Sequence, residues 1–169
     1  ANTEGTGNVG LGNDALFKNT TADFNVAVGF GAMFENTTGD NCTAVGTSAL
    51  GKNTTGSDNV AVGRNSQDAN TDGHSNTSVG ESSLTTNTTG IRNTSIGKDS
   101  MVSNSTGNEN VAVGRSALNA NTTASSNTAV GNECMRSNTT GEQNTAIGYA
   151  ALDSNTTATG NTAVGMHAL

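Results

Sequence analysis

The chain has no proline, no tryptophan and a single tyrosine, Tyr149, and aromatic residues make up 3% of its 169 positions. Hydrophobic residues reach only 31%, so by proportion alone it resembles a disordered or low-complexity tract. No apolar run approaches the roughly 20 residues of a membrane helix, which excludes membrane insertion by this segment. The net charge of −7 is modest and spread out. No cluster of Lys or Arg could track a phosphate backbone, which argues against nucleic acid as a partner. With only two cysteines and two histidines, thiol and imidazole chemistry is also scarce.

Asn, Thr, Gly, Ala and Val supply most of the rest, and their order is strict. Ten glycines, Gly12, Gly29, Gly46, Gly63, Gly80, Gly97, Gly114, Gly131, Gly148 and Gly165, fall 17 residues apart without insertion or deletion. Disorder places no demand on phase, so this regularity marks a repeat architecture. Written from its leading asparagine, the unit is N-(T/V)-A-(V/I)-G-x-x-A-(L/M)-x-x-N-T-T-(G/A)-x-x, and its positions are numbered here as slots 1 to 17. Slot 1 is Asn in every copy except one, where Cys42 stands. The chain starts at slot 11 with Ala1 and stops at slot 9 with Leu169, which reads as a segment of a longer array, a single repeat domain over 1–169.

Slots 2 and 4 carry Val, Ile or Thr, as in Thr94 and Ile96, while slots 3 and 5 carry Ala, Ser or Gly. Period-2 alternation with β-branched residues predicts a strand over slots 1 to 5. Helix is disfavoured by the frequent glycines and the paired threonines of slots 13 and 14. Seventeen residues are too few for a strand, a crossover helix and a return. The fold class predicted is therefore all-β, a β-solenoid or β-roll of about ten stacked coils at about 4.8 Å per coil, with a second strand expected within slots 8 to 13.

Each slot then becomes a ladder of like side chains along the rod. Slot 4, together with the Leu/Met column of slot 9, is the expected core. The slot 12 column of Asn19, Asn36, Asn53, Asn70, Asn87, Asn104, Asn121, Asn138 and Asn155 reads as a turn device. Asn tolerates left-handed backbone, and its amide can bond both nearby backbone and the Asn above and below. One Val, one Leu and two Ala per coil make a thin core. The small-residue face of slots 3 and 5 gains a role from that thinness: Ala27, Gly29, Ala44, Gly46, Ala61, Gly63, Ala112, Gly114, Ala129, Gly131, Ala146 and Gly148 would let a second backbone come close. That backbone is either the opposite wall of a flattened coil or another chain, with association between chains the expected use.

The motifs N-T-A-V-G, N-V-A-V-G and N-T-A-I-G resemble the N-S-V-A-I-G repeats in the heads of YadA-like trimeric autotransporter adhesins. The full unit resembles the longer version found in bacterial surface proteins and in phage tail fibres that end in a peptidase-type chaperone domain. The resemblance covers the whole chain. It implies a left-handed parallel β-roll, a side-by-side homotrimer, an extracellular location on a cell surface or virion, and attachment to a host through a surface glycan or protein receptor. The adhesin head unit is usually shorter than this one, and adhesin and tail fibre stay equally open.

Chemistry is sparse. Cys42 and Cys134 lie in slots 1 and 8 of coils five steps apart, about 24 Å along the rod, too far for a disulfide, which needs Cα atoms within about 7 Å. They read as small buried residues. His74 and His167 are many coils apart with no ligand partner at metal spacing. The stretch Gly5 to Asp14 superficially resembles calcium-binding nonapeptides, but its acidic residue does not recur, so ordinary turns are expected. No nucleophile arrangement exists, and neither catalysis nor a cofactor is expected. The N-T-T sequons at Asn19, Asn36, Asn53, Asn87, Asn121, Asn138 and Asn155 read as turn chemistry before they read as glycosylation sites.

One copy departs from the consensus. Between Asn59 and Ser75 the core Leu is replaced by Gln67, followed by Asp68, Asp72 and His74. These four form a candidate recognition patch, against relaxed drift in an array that tolerates one weak coil. Phe17, Phe24, Phe30 and Phe34 cluster near the start, which predicts contact with a neighbouring domain or a wider core there. A competing function is ice binding. It requires two outward Thr columns, at i and i+2 on one flat strand face, whereas slot 2 mixes Thr with Val and slot 4 is aliphatic; a flat face of slots 2 and 4 serves only if slots 3 and 5 point inward.

Overall fold

A computed structural model describes residues 2–169. Ten three-residue strands follow one another: β1 (Val9–Leu11), β2 (Val26–Val28), β3 (Thr43–Val45), β4 (Val60–Val62), β5 (Thr77–Val79), β6 (Thr94–Ile96), β7 (Val111–Val113), β8 (Thr128–Val130), β9 (Thr145–Ile147) and β10 (Thr162–Val164). They form one sheet in sequence order, every pair parallel. Residue i faces i+17 throughout, as in Val60↔Thr77 and Ala61↔Ser78. The chain is a parallel β-solenoid, and among the described residues no helix occurs. Nine steps of about 4.8 Å separate the first strand from the last by about 43 Å.

The expected second strand is absent; slots 8 to 13 are turns. They still bond from coil to coil: Leu50 N–H donates to the Ser66 carbonyl, Lys52 to Asp68 and Thr54 to Thr71, each at 3.0 Å. What prevents strand geometry is backbone sign. Slots 7, 9 and 17 take positive φ in almost every coil, for example Asn65 at 57°, Leu50 at 50° and Asp58 at 59°. A left-handed residue every few positions bends the chain back on itself within one coil.

The interior also differs from expectation. Slot 3 points inward, with Ala27, Ala44, Ala61, Ala112, Ala129 and Ala146 fully buried against the slot 8 alanines and the slot 9 Leu/Met column. Slot 4 points outward; Val45, Val79, Ile96 and Ile147 are 37–43% exposed. The cross-section is so narrow that Leu on one wall leaves room only for Ala on the other, so the larger β-branched side chains go outside. The small face thus meets the opposite wall of its own coil, and its alanines offer no surface to another chain.

The slot 5 glycines sit where the strand turns its corner, at φ from +128° to +143°. A Cβ on Gly97 would lie 2.5 Å from the carbonyl oxygen of Gly114 in the next coil. Only glycine permits that approach.

Two asparagine columns close each coil. In the coil of Asn59, the side-chain amides of Asn59 and Asn70 both donate to the Gly73 carbonyl, at 2.8 and 2.9 Å. Between coils, Asn70 Nδ2 donates to Asn53 Oδ1 (2.7 Å) and Asn87 Nδ2 to Asn70 Oδ1 (3.0 Å). In slot 1, the Asn76 backbone N–H donates to Asn59 Oδ1 (3.0 Å) and that of Asn93 to Asn76 Oδ1 (2.9 Å). Slot 12 thus forms an amide ladder, but none of its asparagines takes positive φ, which falls instead at slots 5, 7, 9 and 17; slot 1 does the equivalent work beside the strand. From coil to coil the amide groups are paired with like amide groups, so burying them leaves no orphaned donor.

Candidate functional site

The most continuous exposed feature is a flat stripe made by slots 2 and 4 of β1 to β10. Alternation within each strand sends the middle residue inward and the flanking two outward. The slot 2 column mixes Val and Thr, as in Val60, Thr77, Thr94 and Val111, and all four are half-buried. Beside it runs the aliphatic column Val62, Val79, Ile96 and Val113. Strand pairing spaces each column at about 4.8 Å along the rod, and the two columns lie about 6.6 Å apart. The stripe is apolar with interspersed hydroxyls, and no charged residue occupies slot 2 or slot 4.

Charge is confined to the turns, where it is paired along the axis. All seven basic side chains meet a carboxylate: Lys18 with Glu35, Lys52 with Asp68, Arg64 and Lys98 with Glu81, Arg92 with Glu109, Arg115 with Glu133, and Arg136 with Asp153. Five of these seven basic side chains are more than half exposed and the other two, Lys18 and Arg136, nearly so, so each pair is worth at most about 1 kcal/mol. Their consequence is qualitative: no basic cluster stands free to receive phosphate. Glu81, held between Arg64 one coil before and Lys98 one coil after, has its carboxyl lowered below the usual range, chiefly by the Arg64 hydrogen bond.

The candidate patch does not share one surface. Gln67 is fully buried in the core column. Its Nε2 donates to the Val60 carbonyl (3.0 Å) and the Ser78 hydroxyl (2.9 Å), while its Oε1 is buried without a partner. Asp68 is tied to Lys52 across 3.7 Å, Asp72 accepts from the Thr55 hydroxyl, and His74 lies beside the Ser75 hydroxyl at 3.2 Å. Around Gln67 the interior turns polar: Ser66 pairs with Ser78, and Ser83 with Ser95 at 2.8 Å. The apolar core is accordingly split into one cluster from Leu16 to Ala61 and another from Leu84 to Ala163.

The cysteines are free and buried. Burial pushes both thiols up to about 11 from an ordinary value of 9.0. Cys42 interrupts the slot 1 column: its N–H still donates to Asn25 Oδ1 (2.8 Å), but its sulfur approaches the Gly56 carbonyl only at 3.4 Å. No group of His, Cys, Asp and Glu able to hold a metal occurs among the described residues. In the sequons, Asn36, Asn53, Asn87 and Asn121 are fully buried with Nδ2 already committed to two acceptors. A glycan there would break the ladder.

Of the four phenylalanines, Phe17, Phe24 and Phe30 are exposed, at 51%, 62% and 58%, so they do not widen the core. Phe17 and Phe34 stack in parallel, centroids 5.1 Å apart. No family model, curated protein or solved structure matches the chain.

Proposed function

We propose that this array is a structural and adhesive shaft or head segment of an extracellular fibre, either a trimeric adhesin on a cell surface or a phage tail fibre, used for attachment to a host or surface. Three left-handed rods pack side by side through the slot 2 and slot 4 stripe. The observation that supports this reading is the stripe itself, an aliphatic column with 37–43% exposure at Val45, Val79, Ile96 and Ile147. A flat apolar surface repeating every coil is met at every step only by a partner with the same axial period, and the partner with that period is another copy of this chain. Charged rows on both flanks stay in water.

Light scattering and native mass measurement test it. The unaltered chain should run at three times its monomer mass, and Val79→Lys with Ile96→Lys should reduce it to a monomer with unchanged β-type circular dichroism. A monomeric unaltered chain would overturn the reading.

One observation favours a second reading. Slot 3 points inward, so slots 2 and 4 both face outward, and slot 2 carries Thr in β3, β5, β6, β8, β9 and β10, one of the two Thr columns that ice binding requires; slot 4 is aliphatic throughout. Thermal hysteresis in a monomeric protein would favour ice binding; its absence together with a trimer mass favours the fibre.

A further inference from the structure

We infer that a notch on the turn face near the start of the rod binds a single pyranose ring of a glycan. This deepens the attachment reading and rests on it for its biological use. Slot 10 carries Phe17, then Phe34, then Gly51, then Asp68 in successive coils. Phe17 and Phe34 stack at 5.1 Å with an interplanar angle of 2°. The next step of that stack has no side chain, because the residue there is Gly51. Two coil steps, about 9.6 Å, separate the backbones of Phe34 and Asp68; the Asp68 carboxylate reaches into that interval, and its turning aside opens space for one ring against the Phe34 face.

The opening has a volume of about 270 Å³ and is lined by Phe30, Gly31, Phe34, Gly51, Lys52 and Asp68, among others. Gly31, in slot 7 of the preceding coil, also lines the opening; a Cβ there would meet nothing nearer than the Ser48 hydroxyl at 3.9 Å. Two glycines therefore make the floor and two phenylalanines the walls. Asp68 folds back over Gly51, with Oδ1 2.6 Å from where a Cβ would stand, and its other oxygen faces Lys52 Nζ at 3.7 Å. Glu35 and Ser48 complete the rim.

The ligand class follows from that mixture. An apolar ring face suits Phe34, and hydroxyls around the ring's edge suit the carboxylates of Asp68 and Glu35 and the ammonium of Lys52. A pyranose offers both, C–H bonds on one face and hydroxyls at the edge. An aromatic side chain from another protein would strip water from Asp68 and Lys52 without replacing the hydrogen bonds. The volume falls just below the usual range for small-molecule sites and suits one ring.

The probes are the methyl glycosides of glucose, galactose, mannose and N-acetylglucosamine, with tryptophan amide as the comparator, in ligand-observed saturation-transfer NMR on the purified chain. At least one glycoside should receive saturation, strongest at protons of one ring face. Gly51→Phe should abolish it by continuing the stack into the notch. Slot 10 already accepts Phe at 17 and 34; a Cβ at 51 would meet the Asp68 carboxylate at 2.6 Å, a side-chain end that can turn aside, and the Ser48 carbonyl oxygen at 3.3 Å. Asp68→Asn, which keeps shape and removes the charge, should weaken binding about tenfold. No transfer to any glycoside, transfer unaltered in Gly51→Phe, or stronger transfer to tryptophan amide would each overturn the inference. The mass of the same sample reports separately on the assembly, so loss of sugar binding in an intact trimer refutes the notch and leaves the fibre.

Discussion

Replacing Gly97 by Ala should destabilise the chain by about 3–5 kcal/mol, while the same change at Gly165 should cost about 1–3 kcal/mol. The two glycines share nearly the same backbone, φ +132° and +128°, which L residues rarely adopt, so the conformational strain is common to both. What differs is the coil above. The Cβ at position 97 would lie 2.5 Å from the carbonyl oxygen and 2.6 Å from the carbonyl carbon of Gly114, backbone atoms that cannot swing aside; at Gly165 the nearest atom is the Ala168 Cβ, at 3.9 Å. Relieving the overlap requires opening the seam between these two coils by more than half an ångström beside hydrogen bonds of 2.7 Å (Gly114 N–H to Ile96) and 3.0 Å (Ser116 N–H to Lys98). Losing most of two such bonds adds about 2 kcal/mol to the strain. At roughly 2–4 °C per kcal/mol for a chain of this size, Gly97→Ala should lower the melting temperature by about 10 °C and Gly165→Ala by about half that or less. Thermal denaturation followed by circular dichroism reads both. Equal losses, or a neutral Gly97→Ala, would refute the stacking argument.

Other perturbations act inside the coil. Gln67→Leu removes a buried oxygen without a partner and rejoins the two apolar clusters, so the urea midpoint should rise by the equivalent of about 1 kcal/mol after the lost Nε2 bonds are subtracted. Cys42→Asn restores an acceptor beneath the Asn59 N–H and a donor for the Gly56 carbonyl, which should add about 1 kcal/mol by the same measurement. Asn87→Ala deletes three hydrogen bonds, to Asn70, Gly90 and Asn104, and should cost about 3 kcal/mol. For the thiols, folded values near 11 lie above the ordinary 9.0, so the folded state favours the protonated form. Their stabilising contribution is complete below pH 9 and disappears as pH rises from 9 to 11; the urea midpoint should fall across that window more in the unaltered chain than in Cys42→Ser with Cys134→Ala. At pH 8 only about one thiol in a thousand is ionised, so alkylation of the folded chain should be slow and should accelerate in urea.

Much of this was legible from the residues. The 17-residue phase gave coil number and register, the Val/Thr alternation located every strand, and the N-T-T turn pointed to an amide ladder. Alternation, however, cannot say which side faces in. Val and Ile look like core, yet a coil closed within 17 residues has a lumen that admits Leu50 or Met101 only when Ala44 or Ala112 faces it. The left-handed backbone at Leu50 and Met101 was equally hidden, because leucine and methionine carry no signature of positive φ. Slot 1 left a signal that went unused: an asparagine invariant but for Cys42 is more than a strand cap needs, and it marked a second ladder. The notch at Gly51 was visible only as two departures from consensus, and its walls come from three coils that no local pattern connects.

The uniform register of 17 between paired strand residues has a further consequence. Each coil greets its neighbours with the same donors and acceptors that every other coil presents, so a whole unit can be duplicated or deleted by recombination and the remaining seams close again. An insertion of 16 or 18 residues would instead misalign both ladders and the glycine corner together. Length in such a protein is a count, changing in quanta of about 4.8 Å. The length of the rod can therefore change while the backbone ladders stay in register.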